Sequence, residues 1–254
     1  MSIKIKNEAH EVYGFFKDKE GAEYIATPVN IQILLDLCRE YNVKSILELG
    51  GGIGAIIYAL ARFTNAKIDV YEDLPVCQEK LIDNMRGLER AYTLFKDYSE
   101  YPTGKSYDLM IIDGPIDGPG DMSNIDIIYE FIHSLAGVDI VFVEGHRHRQ
   151  RHAAMRAIYP RKLYRTKRIF GQKYEGAFAK GGFFIICGRK SNRLARMINH
   201  VANSIILVTG FVIIKTWQWH VKRYVRRFFY LVKRAGKHIL IATGVIPNKK
   251  DRAQ

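Results

Sequence analysis

Short apolar runs recur along the chain at intervals that suit alternating strands and helices. Ser45–Leu49, Ile68–Tyr71, Tyr92–Phe95, Leu109–Ile112, Ile140–Val143 and Phe183–Cys187 are rich in β-branched and aromatic residues and read as buried strands. Thr27-Pro28 offers an N-cap followed by a proline at the first helical position. Ile31, Leu34, Leu35 and Cys38 then recur at helical spacing, which predicts a helix over Pro28–Tyr41. Further helices are expected over Ala55–Phe63, Cys77–Gly87 and Ser123–Leu135. Strand and helix alternating in this way predict an α/β fold with a doubly wound, mostly parallel sheet. Three segments follow: a helical lead-in at 1–44, a sheet domain at 45–190, and a basic amphipathic helical extension at 191–254.

Composition narrows the class. With 254 residues, 48% of them hydrophobic, the chain can bury a sizeable core. Cys38, Cys77 and Cys187 lie far apart with no C-x-x-C spacing, which argues against a disulfide framework or a cysteine-built zinc site and for a reducing, cytoplasmic setting. The first residues, MSIKIKNEAHEVYGFF, lack the continuous apolar stretch of a secretory signal. Charge is divided unevenly: residues 1–144 hold 13 Lys and Arg against 24 Asp and Glu, while residues 145–254 hold 26 against 2, within a net charge of +13. So basic a second half predicts an anionic partner.

The chemistry concentrates at the tips of the expected strands. ILELGGGIGA, Ile46 to Ala55, places Gly50, Gly51, Gly52 and Gly54 directly after the first strand, where a ligand can approach the main chain and the next helix's amino end. Glu72 ends the second strand, 20 residues after Gly52, positioned to accept hydrogen bonds from both hydroxyls of a ribose. The glycines can be fitted to the G-x-G-x-x-A form of a dinucleotide site, although an acid just before them is unusual there. E-x-G-x-G-x-G, Glu48 through Gly54, more closely resembles the first motif of the class I S-adenosylmethionine (SAM) methyltransferases, which have a Rossmann-like fold. The resemblance extends from Tyr24 to Arg189 and implies SAM as cofactor. It implies Glu48, Gly50, Gly52, Gly54, Glu72, Asp97 in LFKDYSEY and Asp113 in YDLMIIDGP as the residues that bind it.

Methyl transfer from SAM to a hydroxyl requires alignment, exclusion of water and a proton acceptor. Asp113 follows the fourth strand directly and is expected to touch substrate or cofactor; Asp117 and Asp121 in the same Gly/Pro-rich loop are equally consistent with a solvated turn. VFVEGHRHRQRH, at the fifth strand's end, supplies His146 as a candidate general base and His148 beside it. His148 and His152 lie one turn apart if a helix begins near His146. The arginines here can equally form a solvated helix face. A divalent metal held by these histidines with Asp113 or Glu144 is possible but not favoured. Magnesium-using sugar O-methyltransferases with a related D-G motif repeat aspartates at strand five, where this sequence has Glu144-Gly145-His146.

Arg156, Arg161, Lys162, Arg165, Lys167 and Arg168 are interleaved with Tyr159, Tyr164 and Tyr174, a pattern open to single-stranded nucleic acid or to an acidic glycan. No recognisable RNA-binding module accompanies them, which leaves nucleic acid the weaker option. The apolar run Ser204–Ile214 is shorter than a membrane span, and Trp217, Trp219, Phe228 and Phe229 then alternate with basic residues, as an interfacial helix requires. The sequence thus predicts O-methylation of an acidic or phosphate-bearing glycan or lipid-linked acceptor by a cytoplasmic enzyme, peripheral on an anionic membrane. A membrane-associated SAM-binding scaffold without turnover, an RNA-directed methyltransferase, and a homo-oligomer formed through the tail are the alternatives it leaves open.

Overall fold

A computed structural model describes residues 4–22, 25–114, 124–145, 147–169, 172–174, 177–179, 181–188 and 192–204. Elements follow in the order α1 (Asn7–Phe16), α2 (Pro28–Glu40), β1 (Ser45–Leu49), α3 (Ala55–Phe63), β2 (Lys67–Tyr71), α4 (Pro75–Asn84) and β3 (Tyr92–Phe95). Then come β4 (Ser106–Ile112), α5 (Asn124–Ser134), β5 (Gly137–Glu144), α6 (His148–Ile158), β6 (Tyr164–Ile169), β7 (Gln172–Tyr174), β8 (Ala177–Ala179) and β9 (Gly182–Cys187). Strands β7 and β8 pair with each other as a separate hairpin.

All six expected strands form. Four run longer than their apolar cores: β2 and β9 start one residue early, and Ser106 pairs with Gly137 to start β4 and β5 three residues early. Polar residues occupy these extensions for local reasons: Asp108 accepts the backbone N–H groups of Lys44 and Ser45, anchoring the entry to β1. Strands β6, β7 and β8 were not anticipated, nor was α1 as a separate helix within the helical lead-in expected at 1–44. Helix α1 buries Ala9, Val12 and Phe16, a helical stripe too sparse to stand out. Strand β6 exposes Arg165 and Lys167 at alternate positions, the charged dress of an edge strand that must not recruit another edge.

The main sheet has the order β3-β2-β1-β4-β5-β9-β6. Its pairs are parallel except those of β9, which runs antiparallel to both β5 and β6. The chain therefore moves outward from β1 to β3 and then crosses to β4 on the other side of β1. That reversal creates a crevice beyond the carboxyl ends of β1 and β4, where ligands bind in open α/β sheets.

Strand alternation divides the core into two faces. Ile46, Ile68, Val70, Leu109, Ile111, Ile140 and Phe142 join α1, α2 and α3 in one apolar cluster. The opposite parity, Leu47, Leu49, Tyr71, Met110, Ile112, Val141 and Val143, is equally buried. Tyr71 meets Phe131 of α5 edge-on at 5.1 Å, which assigns this second face to α5. The Arg156 guanidinium over the Tyr129 ring, at 5.5 Å, ties α6 to α5. Residues 193–201 are also helical, and Asn199 there accepts the Tyr164 N–H at 3.0 Å. Among the described residues no helix is long and apolar enough to cross a membrane. The expected interfacial tail beyond Ser204 lies outside them.

Candidate functional site

Strand register builds the site. Leu49 pairs with both Tyr71 and Ile112, Tyr71 pairs with Phe95, and Ile112 pairs with Val143, so four strands end level around β1. The residues that follow are Gly50, Glu72, Asp113 and Glu144, with Asp97 two positions beyond β3. Glu48 shares the parity of Ile46, Glu144 that of Phe142. Both therefore belong to the face covered by α1–α3, and Glu48 sits in the sheet between Val70 and Ile111.

The glycines of the loop do different work. Gly50 has φ +83°, and a Cβ there would meet the Asp113 carbonyl oxygen at 2.0 Å; this glycine lets the β1 and β4 tips touch. A Cβ on Gly51 would meet Val70 and Leu81 at 2.6 and 2.9 Å. Gly54, φ +94°, precedes α3 in the left-handed region and packs against Leu81. Among the described residues, Gly52 alone of the four faces open space, with φ +54° and nothing within 4 Å of a built Cβ. Of the glycines in the expected site, it is the one whose bare backbone is not explained by the protein's own packing.

Acidic groups converge over that opening. Glu72 accepts the Gly52 N–H at 2.6 Å and the Leu74 N–H at 2.9 Å, one bond to each carboxylate oxygen, which leaves further lone pairs for hydroxyl donors. Burial raises its pKa, against the lowering effect of those two bonds. Glu48 is only 1% exposed, and its Oε2 has no hydrogen-bond partner among the described residues. Burial in the apolar row, followed by the nearby Asp113 and Glu72 charges, holds its carboxyl well above the usual range.

Asp113 and Glu144 form the neighbouring half of the site. Burial first, then the charge of Glu144 and a hydrogen bond with it, push Asp113 well above the ordinary carboxylate range, while Arg147 works in the opposite direction. Arg147 Nη2 lies 3.3 Å from Asp113 and 3.5 Å from Glu144, and Asn30 Nδ2 of α2 donates to Glu144 at 2.6 Å. Two carboxyls that touch each other under one cation, one of them Asp113 with its raised affinity for a proton, are placed to exchange a proton with a bound hydroxyl.

The remaining sequence candidates fall as follows. Asp97 is exposed and accepts the Ser99 N–H and hydroxyl at 2.8 and 2.6 Å, bonds that lower its pKa; it caps the turn beyond β3 at the ligand end of the sheet. His148 begins α6, two residues later than the expected start, and His152 follows one turn on, exposed beside a groove between α5 and α6 lined by Asp126, Tyr129, Glu130 and Arg156. His146, Asp117 and Asp121 lie outside the described residues. Among the described residues no three His, Cys, Asp or Glu side chains are grouped to hold a metal ion.

Two participants escaped the sequence reading. Asn30 was hidden within an apolar helix. Arg151, open to being read as part of a solvated helix face, is instead 1% exposed. Several cations of the basic stretch are also internally engaged. Arg161 donates to the carbonyls of Ile132, His133 and Leu135 at the end of α5, and Lys162 donates to Val138 O and pairs with Asp139.

No family model matches this sequence, and no curated protein matches it. Solved structures do match in fold. The O-methyltransferase TomG of Streptomyces achromogenes, in complex with SAM, aligns over 74% of this chain and 93% of its own at 13% identity and TM-score 0.53. The SAH-bound methyltransferase PaMTH1 of Podospora anserina covers 74% of this chain and 91% of its own at 14% identity and TM-score 0.51. The tRNA (m1A58) methyltransferase TrmI of Aquifex aeolicus covers 71% and 76% at 12% identity and TM-score 0.50. The chain has the Rossmann-like fold of class I SAM-dependent methyltransferases.

Proposed function

We propose that the chain binds SAM across the tips of β1, β2 and β4 and directs its methyl group to a hydroxyl of an acidic acceptor. The observation that carries the reading is the unpartnered, fully buried Glu48 oxygen beside an open glycine loop. A buried acid without a partner is costly unless a ligand supplies one. SAM bears a sulfonium and an ammonium, so a recess of carboxyls suits it, and the open backbone at Gly52 gives it close approach.

When bound, SAM supplies an already activated methyl group. The chain's tasks are then to orient, to exclude water and to handle a proton. Glu72 retains lone pairs for ribose hydroxyls. Asp97 stands at the β3 tip, where the resemblance puts the adenine. Asp113, paired with Glu144, takes the acceptor proton or positions the hydroxyl, with His146 and His148 as the sequence's own candidates for that base. Asn30 and Arg147 hold the pair in place.

The acceptor is inferred to be anionic from the basic second half of the chain, and the alternation of aromatic and basic residues after Lys215 supports docking on an anionic membrane face. An acidic or phosphate-bearing glycan or lipid-linked acceptor fits both. The test is transfer of labelled methyl from SAM to lipid, glycan and RNA fractions presented to the full chain. Label in a lipid-linked or glycan fraction supports the reading; label in RNA favours an RNA-directed enzyme. SAM binding without transfer to any fraction favours a scaffold.

A further inference from the structure

Arg151 is the largest fully buried side chain of the described residues, and its charge has no acidic counterpart among them. Its Nη2 donates to the Gly145 carbonyl at the end of β5, and its guanidinium lies 5.1 Å above the Phe183 ring of β9. Its Nε and Nη1 are buried with no hydrogen-bond partner among the described residues. One turn earlier, where the Arg151 N–H bonds to the Arg147 carbonyl, Arg147 also buries an unpartnered nitrogen, Nη1. Arg168 of β6 pairs in register with Phe183, the residue under Arg151. After burial itself, the charge of Arg168 is the next cause pulling the Arg151 guanidinium down, to about 10.

Three arginines thus gather at the amino end of α6, on the ligand end of the sheet. A buried guanidinium with no counter-charge among the described residues is expensive, because its desolvation is not repaid by a partner. Cation–π contact with Phe183 and one carbonyl bond offset only part of that. What Arg151 lacks among the described residues is negative charge with several acceptor lone pairs, which the first turn of an 11-residue helix also favours.

We infer that Arg147, Arg151 and Arg168 form an oxyanion site that seats the carboxylate or phosphate of the acceptor beside the Asp113–Glu144 pair. Arg147 joins the two: its Nη2 faces the carboxyls, while its Nη1 lacks a partner. Its contacts of 3.3 and 3.5 Å are long for charge-assisted bonds, so the side chain can yield to an incoming anion. Assigning the anion to the acceptor rests on the proposed methyl transfer; the existence of the site does not.

The test is unfolding of the full chain in sodium phosphate against sodium chloride at equal ionic strength, with calorimetric SAM binding as a separate readout. Phosphate is expected to protect the wild type, lowering the unfolding constant about elevenfold at ten times its Kd. Arg151→Met should abolish that protection and Arg168→Gln should weaken it, both with SAM affinity unchanged. Methionine is close enough in volume to fill the space, and Arg168→Gln on an edge strand provides a second variant if Arg151→Met folds poorly. No phosphate-specific protection of the wild type, or protection undiminished in both variants, would overturn the site. Intact phosphate protection in a chain that does not bind SAM would instead leave the site standing and refute the methyltransferase reading. To separate the anion's source, simple carboxylates and phosphate monoesters are then compared in the same assay.

Discussion

Alanine at Gly50 and at Gly52 should act in opposite ways, because one glycine serves the fold and the other the ligand. At Gly50 a Cβ would lie 2.0 Å from the Asp113 carbonyl oxygen, in a backbone with φ +83°. Normal contact requires more than an ångström of main-chain movement at a point where two central strands meet. The left-handed conformation alone costs an L-residue about 1–2 kcal/mol, and the clash brings the expected loss of stability above about 3 kcal/mol. At Gly52 the backbone, φ +54°, is in the left-handed region, but nothing lies within 4 Å. Gly52→Ala should therefore cost only about 1–2 kcal/mol of stability, and it keeps the N–H that Glu72 accepts. Its methyl group occupies the opening, so SAM affinity should fall at least about tenfold, or about 1.4 kcal/mol. Urea denaturation measures the first quantity and titration calorimetry the second. A Gly52→Ala protein that binds SAM like the wild type, or a Gly50→Ala protein of wild-type stability, would refute the reasoning.

Three further outcomes are expected. Glu48 ordinarily titrates near 4.5 and is raised well above that in the fold, so the folded chain holds a proton that the unfolded chain releases. Its contribution is therefore intact below about pH 4.5 and declines as pH rises toward the folded value. Glu48→Gln should flatten that decline in the free protein, seen as a smaller loss of denaturation midpoint between pH 5 and pH 8. In the wild type the cationic groups of SAM should draw the Glu48 proton off, so SAM binding should release protons, detected by calorimetry in buffers of different ionisation enthalpy, and should strengthen with pH; no proton release would sink that coupling. Asn30→Ala removes the 2.6 Å bond to Glu144 and should lower kcat more than it raises the KM for SAM, with the pH dependence of kcat displaced; an unchanged pH profile would reduce Asn30 to packing. The full chain should sediment with anionic liposomes and not with neutral ones, and salt should weaken the association only in part, since apolar insertion is not screened.

The strands and the acids at their tips were legible because both depend on local order. An apolar run ends, an acid or glycine follows, and parallel pairing in register brings the ends level. Glu48, Glu72 and Asp113 are found together for that reason. The division of labour between Gly50 and Gly52 was not legible, since it depends on where the Asp113 carbonyl comes to rest. Arg151 was missed although a signal existed: Ala154, Met155 and Ile158 follow it at helical spacing and are buried, so it lies on the core stripe of α6. Local charge density outweighed that periodicity in the reading. Asn30, within α2, likewise needed Glu144 in space before its polarity had a purpose. Strand β6 was hidden by the alternating cations that suit it to the sheet's edge.

The most direct test of the central claim is a crystal structure of the full chain grown with SAM. The account predicts SAM against the Gly52 backbone, its ribose hydroxyls on Glu72, and its cationic amino acid portion on the Glu48 and Asp113 side of the crevice. SAM bound elsewhere on the sheet, or a crevice that takes up none at saturating concentration, would contradict it.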